Sequence, residues 1–270
     1  MSLASILSKK NRALLRELVV TDFKLRYQGS ALGYLWSLLK PLFLFAILYV
    51  VFGKFLKFGA DVEHFPIYLL LGIVLWGFFT EATSQGLSAI VTRGDLIRKV
   101  NFPKYIIVVS GTISALINLC LNLSIVAVFM VINNVDIHRS ILFFPLVIGE
   151  LYVLALATAF FLSAAFVRYR DISYIWEVGI QAAFYATPIL YPISKIIEVS
   201  PAAAQLLMLN PVAQIIQDAR YTLVTHQTTR LYDIVHNAWL ILVPFALVLV
   251  AVVFASYYFK KNSPYFAEEV

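Results

Sequence analysis

The sequence predicts an all-α integral membrane protein with six transmembrane helices. Of its 270 residues, 61% are hydrophobic and only 13% are charged, and the mean hydropathy is +0.85. Soluble domains carry about a quarter charged residues, so a soluble fold of this composition would lack the polar surface to cover its core. Several stretches also reach the roughly 20 apolar residues that a helix needs to cross a bilayer.

Residues 1–33 precede the first apolar stretch and predict a helix that lies in the cytoplasmic membrane interface. Leu14, Leu15, Leu18 and Val19 share one helical face. The other face carries basic residues, namely Lys9, Lys10, Arg12, Arg16, Lys24 and Arg26. An amphipathic helix with a basic polar face is typical of segments that lie on a membrane rather than cross it.

Six apolar stretches predict the membrane-spanning helices of a single domain, residues 34–259, followed by a cytoplasmic C-terminal tail, residues 260–270. The predicted spans lie near residues 34–54, 66–90, 105–132, 141–166, 174–194 and 238–259. With the N-terminus in the cytoplasm, the inner segments hold fourteen Lys and Arg residues and the outer segments hold six. Cytoplasmic loops carry the excess of positive charge, so both termini are predicted to be cytoplasmic.

The loop between the second and third spans, residues 92–104, is unusually apolar for a cytoplasmic loop. It contains Leu96, Ile97, Val100 and Phe102. A short helix that ends before Pro103 is expected, because the residue before a proline disfavours the helical conformation. Docking of a partner protein would explain the apolar residues, and docking on the membrane interface is the alternative.

Residues 187–237 interrupt the regular alternation of spans and loops. Prolines break this region repeatedly, at Pro188, Pro192, Pro201 and Pro211. The apolar stretch 202–224 also contains several polar residues, namely Asn210, Gln214, Gln217, Asp218 and Arg220. We predict short helices on the outer face or re-entrant from it, between spans five and six. Irregular backbone at membrane depth is tolerated only against protein or water, which favours a gate.

The sequence contains none of the common nucleotide-binding or catalytic motifs. It has no G-x-x-x-x-G-K-[ST] loop, no H-E-x-x-H, no nucleophile elbow and no C-x-x-C. We therefore predict that the chain is not an enzyme and carries no metal or cofactor of its own. Glu81, Glu150 and Glu177 lie at predicted membrane depth, where carboxylates either pack against polar partners or relay protons.

Aromatic residues, which make up 15% of the chain, recur on two predicted spans. Phe45, Tyr49 and Phe52 follow one another at helical spacing on the first span. Phe184, Tyr185 and Tyr191 lie on the fifth span. Aromatic faces bind sugar rings and let them slide, so a wet conduit lined by these residues would suit a sugar polymer. Ordinary packing and interfacial aromatic belts are the alternative.

Six segments together resemble a known family over nearly the whole chain, in the right order and spacing. They are DFKLRY (22–27), LGYLWSLLKP (32–41), LIRKVNFP (96–103), RYRDI (168–172), PILYP (188–192) and LNP (209–211). This pattern resembles the polysaccharide-export permeases of the type-2 ATP-binding cassette exporters, which include O-antigen, capsule and teichoic-acid exporters. Lys40 departs from the pattern, which has a neutral residue there.

The resemblance implies a homodimer in the bacterial plasma (inner) membrane that works with two cassette ATPase subunits, which bind ATP and Mg²⁺. It implies no nucleic-acid partner, and membrane lipid and a lipid-linked glycan as further partners. The loop 92–104 would be the coupling helix that docks on the ATPase, through Asp95, Leu96, Ile97, Arg98, Lys99, Phe102 and Pro103. The aromatic residues named above would line the conduit at the dimer interface.

The resemblance also implies where the cargo enters and leaves. Lys24 and Arg26 would meet the pyrophosphate of a polyprenyl-linked glycan at a lateral entrance; general attraction to anionic lipid is the alternative. The outer gate would contain Pro188, Pro192, Asn210 and Pro211.

Three other functions remain open at this point. A type-2 permease for a smaller cargo, such as a drug or a lipid, fits the same motifs. An ion-coupled carrier would be expected to show paired broken helices and clustered charge, and neither is evident. A membrane-embedded glycosyltransferase would need acidic loop motifs, for which Asp61 and Glu63 are the only close acidic pair on the outside.

Overall fold

The computed structural model describes residues 9–26, 29 and 32–269, and every regular element within them is helical. The first half contains α1 (Lys9–Arg26), α2 (Leu35–Leu48) continued by a π-helix (Tyr49–Phe55), α3 (Phe65–Thr92), α4 (Gly94–Lys99) and α5 (Tyr105–Ile132). A 3₁₀ turn (Arg139–Phe143) then leads into α6 (Phe144–Arg168), which is followed by α7 (Ile172–Ala186), α8 (Ile193–Val199), α9 (Pro201–Met208) and α10 (Pro211–Leu223). The chain ends with α11 (Leu231–Ile234), α12 (Ala238–Ile241), α13 (Val243–Asn262), a 3₁₀ turn (Ser263–Tyr265) and α14 (Phe266–Glu269).

Five helical stretches in the described residues are long and apolar enough to cross a membrane. They are Leu35–Phe55, Phe65–Thr92, Tyr105–Ile132, Arg139–Arg168 and Val243–Glu269. These correspond to the first four predicted spans and the sixth. The all-helical fold class is confirmed, and five of the six predicted spans have a matching helix.

The predicted fifth span, residues 174–194, is not one continuous helix. α7 ends at Ala186 after 15 residues, and Thr187 is extended, with ψ of 137°. At 1.5 Å per residue α7 is about 22 Å long, short of the roughly 30 Å of a hydrocarbon core. Pro188 disfavours the helical conformation of the residue before it, and Pro188 and Pro192 both lack a backbone N–H donor. The predicted span 174–194 contains both prolines, and the helix ends just before the first of them.

The C-terminal segment is not a free tail that begins at residue 260. α13 continues to Asn262, and the Phe266 side chain of α14 is fully buried. The Phe266 ring packs edge-on against the ring of Phe259, with 5.3 Å between centroids. The C-terminal residues are therefore part of the helical bundle.

α3 is the central helix of the bundle. Most of its residues are buried, and it packs chiefly against α5 and α6, while α13 packs on α6. A Cβ atom added at Gly86 of α3 would lie 2.3 Å from Cβ of Ala159 of α6. Glycine at position 86 is therefore what lets these two helices approach so closely.

α1 packs along α5. Leu14 and Leu18 contact a buried cluster at the end of the bundle where α4 and α14 lie, whereas the basic residues Lys10, Arg12 and Lys24 are exposed. The predicted amphipathic pattern is thus present, but part of the apolar face contacts protein. Asp22 forms an ion pair with Arg93, which connects α1 to the loop between α3 and α4.

Candidate functional site

A cavity of about 750 Å³ lies between α2, α3, α5 and α7. We call it the α2–α7 cavity. Its polar lining consists of Ser37, Lys40, Thr80, Glu81, Ser84, Asn118, Asn122 and Gln181. Its aromatic lining consists of Trp36, Trp76, Phe78, Phe184 and Tyr185. A wall with both aromatic faces and amide or hydroxyl groups can contact both the faces and the hydroxyl groups of a sugar.

Glu81 is the acidic residue of this wall and is hydrogen-bonded from two helices. Its Oε1 accepts a bond from Nε2 of Gln85 over 2.8 Å, and its Oε2 accepts a bond from Nδ2 of Asn118 over 2.9 Å. A carboxylate at membrane depth is costly unless it has such partners. Two of its partners are therefore amides, which agrees with the alternative that Glu81 packs against polar groups.

The three acidic residues at predicted membrane depth do not come together. Glu81 lies on the α2–α7 cavity, Glu150 is on α6 beside Gln214 of α10, and Glu177 is exposed on α7. Among the described residues, no group of three or more His, Cys, Asp or Glu could hold a metal ion.

The structure separates the six aromatic residues that were predicted to line a conduit. Phe184 and Tyr185 line the α2–α7 cavity. Phe45 is buried, stacked on Tyr49 and edge-on to Phe129 with 5.7 Å between centroids in both cases. Phe52 packs on Phe58, and the Tyr191 hydroxyl donates to the backbone carbonyl of Tyr185 over 3.0 Å. Trp36 and Trp76, which were not among the predicted lining residues, also line the cavity.

The non-helical segment 187–192 is held by the buried guanidinium of Arg220. Arg220 Nη1 donates to the carbonyl oxygen of Pro188 over 2.7 Å, and Nη2 donates to that of Ile189 over 2.8 Å. Its Nε donates to the carbonyl oxygen of Tyr68 on α3 over 3.0 Å. The bonds to Pro188 and Ile189 satisfy backbone carbonyls that the broken helix leaves without partners, as irregular backbone at membrane depth requires.

Side chains on α3 and α10 complete the surroundings of Arg220. The guanidinium carbon lies 3.6 Å from the ring centroid of Tyr68, and Gln217 Oε1 accepts bonds from both Arg220 Nη1 and the Tyr68 hydroxyl. Within the described part of the chain, no carboxylate lies within salt-bridge distance of Arg220. Carbonyl dipoles and an aromatic face therefore take the place of a counter-ion.

The four residues predicted for the outer gate lie on either side of this arginine network. Asn210 caps α10, because its Oδ1 accepts a bond from the backbone N–H of Val212, and its Nδ2 donates to Thr187 Oγ1 over 3.3 Å. Pro211 is the first residue of α10, and Pro192 immediately precedes α8. No role was predicted for Arg220, which was assigned to an outer segment; its only signal in the sequence was a charged group within an apolar stretch.

The α4 segment is packed into the bundle more deeply than its sequence suggested. Ile97 and Phe102 are buried in a cluster that also contains Phe259 and Phe266. The expectation that a partner protein explains all of the apolar residues in this loop is therefore wrong for these two, which pack within the chain. Asp95, Arg98, Lys99 and Val100 are exposed, and they form the outward surface of this end.

The two residues predicted for the lipid entrance lie at the end of α1. Lys24 is exposed. The side chain of Arg26, the last residue of the helix, lies outside the described part of the structure.

Comparison with known proteins finds one family and several relatives. Residues 13–224 match the family described as ABC-2 type transporter. The chain is 32% identical to an O-antigen export system permease protein RfbA of Myxococcus xanthus over 204 residues, which cover 76% of this chain and 77% of the relative. It is 28% identical to a protein of the same name from Klebsiella pneumoniae over 217 residues, which cover 78% and 82%.

Proposed function

The chain belongs to the ABC-2 type transporter family, and we propose that it is the membrane permease of an ATP-driven exporter for a polyprenyl-pyrophosphate-linked polysaccharide. The family and its apolar helices make it a multi-pass membrane protein and a transporter subunit. The names of its relatives support O-antigen-like cargo. The observation that carries the proposal is the α2–α7 cavity, because its walls combine aromatic rings with amide and hydroxyl groups.

The conduit forms between two copies of the chain. Large apolar residues are exposed on both helices that flank the cavity, for example Phe43 and Ile47 on α2, and Ile175 and Val178 on α7. Exposed apolar patches of this kind mark contact with lipid or protein. Pairing of two such surfaces would join the two α2–α7 cavities into one passage, with Phe184 and Tyr185 on its wall.

ATP is hydrolysed by two cassette ATPase subunits, which bind ATP and Mg²⁺ and dock on α4. The contact uses the exposed residues Asp95, Arg98 and Lys99. The buried residues Ile97 and Phe102 fix α4 to α13 and α14, so movement of α4 is passed to the bundle. ATP drives export only if the closed ATPase dimer favours one of two permease conformations.

The cargo enters beside α1 and leaves past the segment 187–192. Lys24 and Arg26 attract the pyrophosphate from the cytoplasmic leaflet of the bacterial plasma membrane, and both termini lie on that side. Arg220 holds the outer segment against α3 and α10 while the passage is closed. The break between α7 and α8 then acts as the hinge of the outer gate.

Reconstitution tests this proposal. The partner ATPase is co-expressed with this chain and placed in liposomes with polyprenyl-pyrophosphate glycan, with a polyprenyl pyrophosphate that lacks the glycan, or with a drug-like amphiphile. We expect the glycan lipid to stimulate ATP hydrolysis several-fold over the other two. As a control on the cavity, Tyr185→Ala should reduce this stimulation, whereas Tyr257→Ala, which changes an exposed tyrosine of α13 outside the cavity lining, should not.

Two outcomes would overturn the proposal in different ways. Stimulation by the amphiphile alone would leave the family assignment in place and favour a smaller cargo. Failure of any ATPase to associate would remove the ATP-driven mechanism. The family match gives no support to an ion-coupled carrier or a glycosyltransferase.

A further inference from the structure

A second cavity, of about 820 Å³, lies beside α1. It is formed by the first turns of α1, the start of α5, the middle of α6 and the end of α13. Its lining contains no residue of α2 or α7, the helices that flank the α2–α7 cavity. It is therefore separate from the proposed conduit.

Three basic side chains line one end of this cavity. They are Arg12 of α1, Lys104 before α5 and Lys260 near the end of α13. Lys104 Nζ donates to the carbonyl oxygen of Ser263 over 2.6 Å and lies 3.5 Å from that of Pro264. An ammonium group has three donors, so at least one remains for a ligand. Burial lowers the pKa of Lys104, and the nearby Glu268 opposes this shift, so a ligand anion here would favour its charged form.

The rest of the wall is apolar. Val109, Leu156 and Phe160 form it together with Phe259. These residues lie within helices of membrane-spanning length and composition, while the three cations lie at or beyond the helix ends. Tyr105 also lines the cavity. Cations at one end, with an apolar wall beyond them, match an anionic headgroup attached to an acyl chain.

We propose that this cavity binds one anionic phospholipid, with its phosphate between Arg12, Lys104 and Lys260 and an acyl chain against Leu156 and Phe160. Three basic groups surround the phosphate, and charge complementarity selects an anionic over a zwitterionic headgroup. The bound lipid contacts α1, α5, α6 and α13 together and so stabilises the end of the bundle that carries α4.

This site differs from the predicted cargo entrance. Arg12 and Lys24 are twelve residues apart on α1, which is about 18 Å along a helix. The proposal therefore does not depend on the identity of the exported cargo.

Native mass spectrometry of the full chain in detergent tests the proposal. Dioleoylphosphatidylglycerol is titrated against the wild type, the variant Arg12→Gln/Lys260→Gln and the control Lys10→Gln/Lys261→Gln. The control removes the same charge from adjacent exposed residues that do not line the cavity. Lys104 is left unchanged because its ammonium group donates a hydrogen bond to the carbonyl oxygen of Ser263, and its loss could disturb the fold. At about 1 kcal/mol per basic residue, we expect the site variant to bind about thirty-fold more weakly and the control to change less than three-fold.

Parallel titrations separate the sources of the anion. Dioleoylphosphatidylcholine and glycerol 3-phosphate should bind at least ten-fold more weakly than the phosphatidylglycerol. Equal binding of the choline lipid, equal binding of glycerol 3-phosphate, or equal losses in the two variants would each overturn the proposal. Binding of undecaprenyl phosphate with no binding of phosphatidylglycerol would also overturn it, because the site would then belong to the cargo carrier. Melting temperatures of the lipid-free variants confirm that both remain folded.

Discussion

The Arg220 side chain donates a hydrogen bond to the backbone carbonyl of Pro188, with 2.7 Å between Nη1 and the oxygen. The two residues are 32 positions apart, and the bond joins the last turn of α10 to the break after α7. Proline interrupts the helix, and the guanidinium then supplies the donors that the broken helix no longer provides. The most deeply buried cation of the described chain is thus a structural partner of the non-helical segment 187–192.

Replacing Arg220 should destabilise the protein strongly. Arg220→Ala leaves the buried carbonyl oxygens of Pro188 and Ile189 without their donor, at about 1–3 kcal/mol each, and also removes the bond to the Tyr68 carbonyl, so we expect a loss of about 3 kcal/mol or more. The loss of stability in Arg220→Lys should be smaller than in Arg220→Ala but still measurable, because an ammonium group cannot reproduce the planar fork of donors. Thermal unfolding of the purified protein in detergent measures the change. The exposed residue Arg139 provides the control, and equal effects of Arg139→Ala and Arg220→Ala would contradict the role described here.

Gly72 should not tolerate a methyl group. A Cβ atom at this position of α3 would lie 2.5 Å from Nη2 of Arg220, whereas a Cβ atom at Gly77 of the same helix would meet no atom within 4 Å. Because Arg220 is fixed by its carbonyl partners, Gly72→Ala should displace it and lower stability by about 1–3 kcal/mol. Gly77→Ala should leave stability unchanged or raise it by up to about 1 kcal/mol. The same unfolding assay compares the two, and a neutral Gly72→Ala would show that Arg220 can move freely.

The ion pair between Asp22 and Arg93 should contribute measurably to stability. Both side chains are about four-fifths buried, and Arg93 Nη1 also donates to Ser110 Oγ over 3.0 Å. A double-mutant cycle with Asp22→Asn and Arg93→Gln should give a coupling of about 1–2 kcal/mol. The exposed pair of Asp61 and Lys195 serves for comparison and should give no measurable coupling. Additive effects at Asp22 and Arg93 would mean that the pair does not hold α1 in place.

Charge reversal on α4 should uncouple the permease from its ATPase. In Arg98→Glu/Lys99→Glu, two exposed charges change sign, while the packing of Ile97 is untouched. We expect cargo-stimulated ATP hydrolysis in liposomes to fall at least ten-fold, with normal amounts of the chain in the membrane. Lys54→Glu/Lys57→Glu makes the same charge change at the other end of the bundle and should have little effect. Normal stimulation of ATP hydrolysis in the α4 variant would contradict the assignment of α4 as the coupling helix.

Much of the fold followed from the sequence because membrane helices must satisfy their backbone hydrogen bonds internally. Long apolar stretches therefore predict helices directly, and five of the six predicted spans have counterparts. The exception is residues 174–194, where an apolar composition resembles that of a span but the helix ends before Pro188. Apolar composition indicates burial or lipid contact, but it does not indicate whether the backbone continues as a helix.

The candidate site was less accessible to sequence reasoning. Phe184 and Tyr185 were found because their helix carries an aromatic cluster, but Phe45 has a similar pattern and packs inside the bundle. Helical periodicity specifies which side chains share a face, and it does not specify what that face contacts. Likewise, the sequence suggested that Ile97 and Phe102 belong to a partner-binding surface. The C-terminal helix that covers them is more than 160 residues away in the chain, so the local sequence gives no sign of it.

The sequence by itself determined the class of protein, the order of its helices and, through its motifs, the family to which it belongs. These properties depend on composition and local pattern, since each helix closes its own hydrogen bonds. Only the tertiary structure decided that Arg220 supports the break at Pro188, that Glu81 accepts a hydrogen bond from Asn118, and that Arg12, Lys104 and Lys260 line one cavity. Each of these depends on residues brought together from distant segments, because helix packing sets their distances and separation along the chain does not.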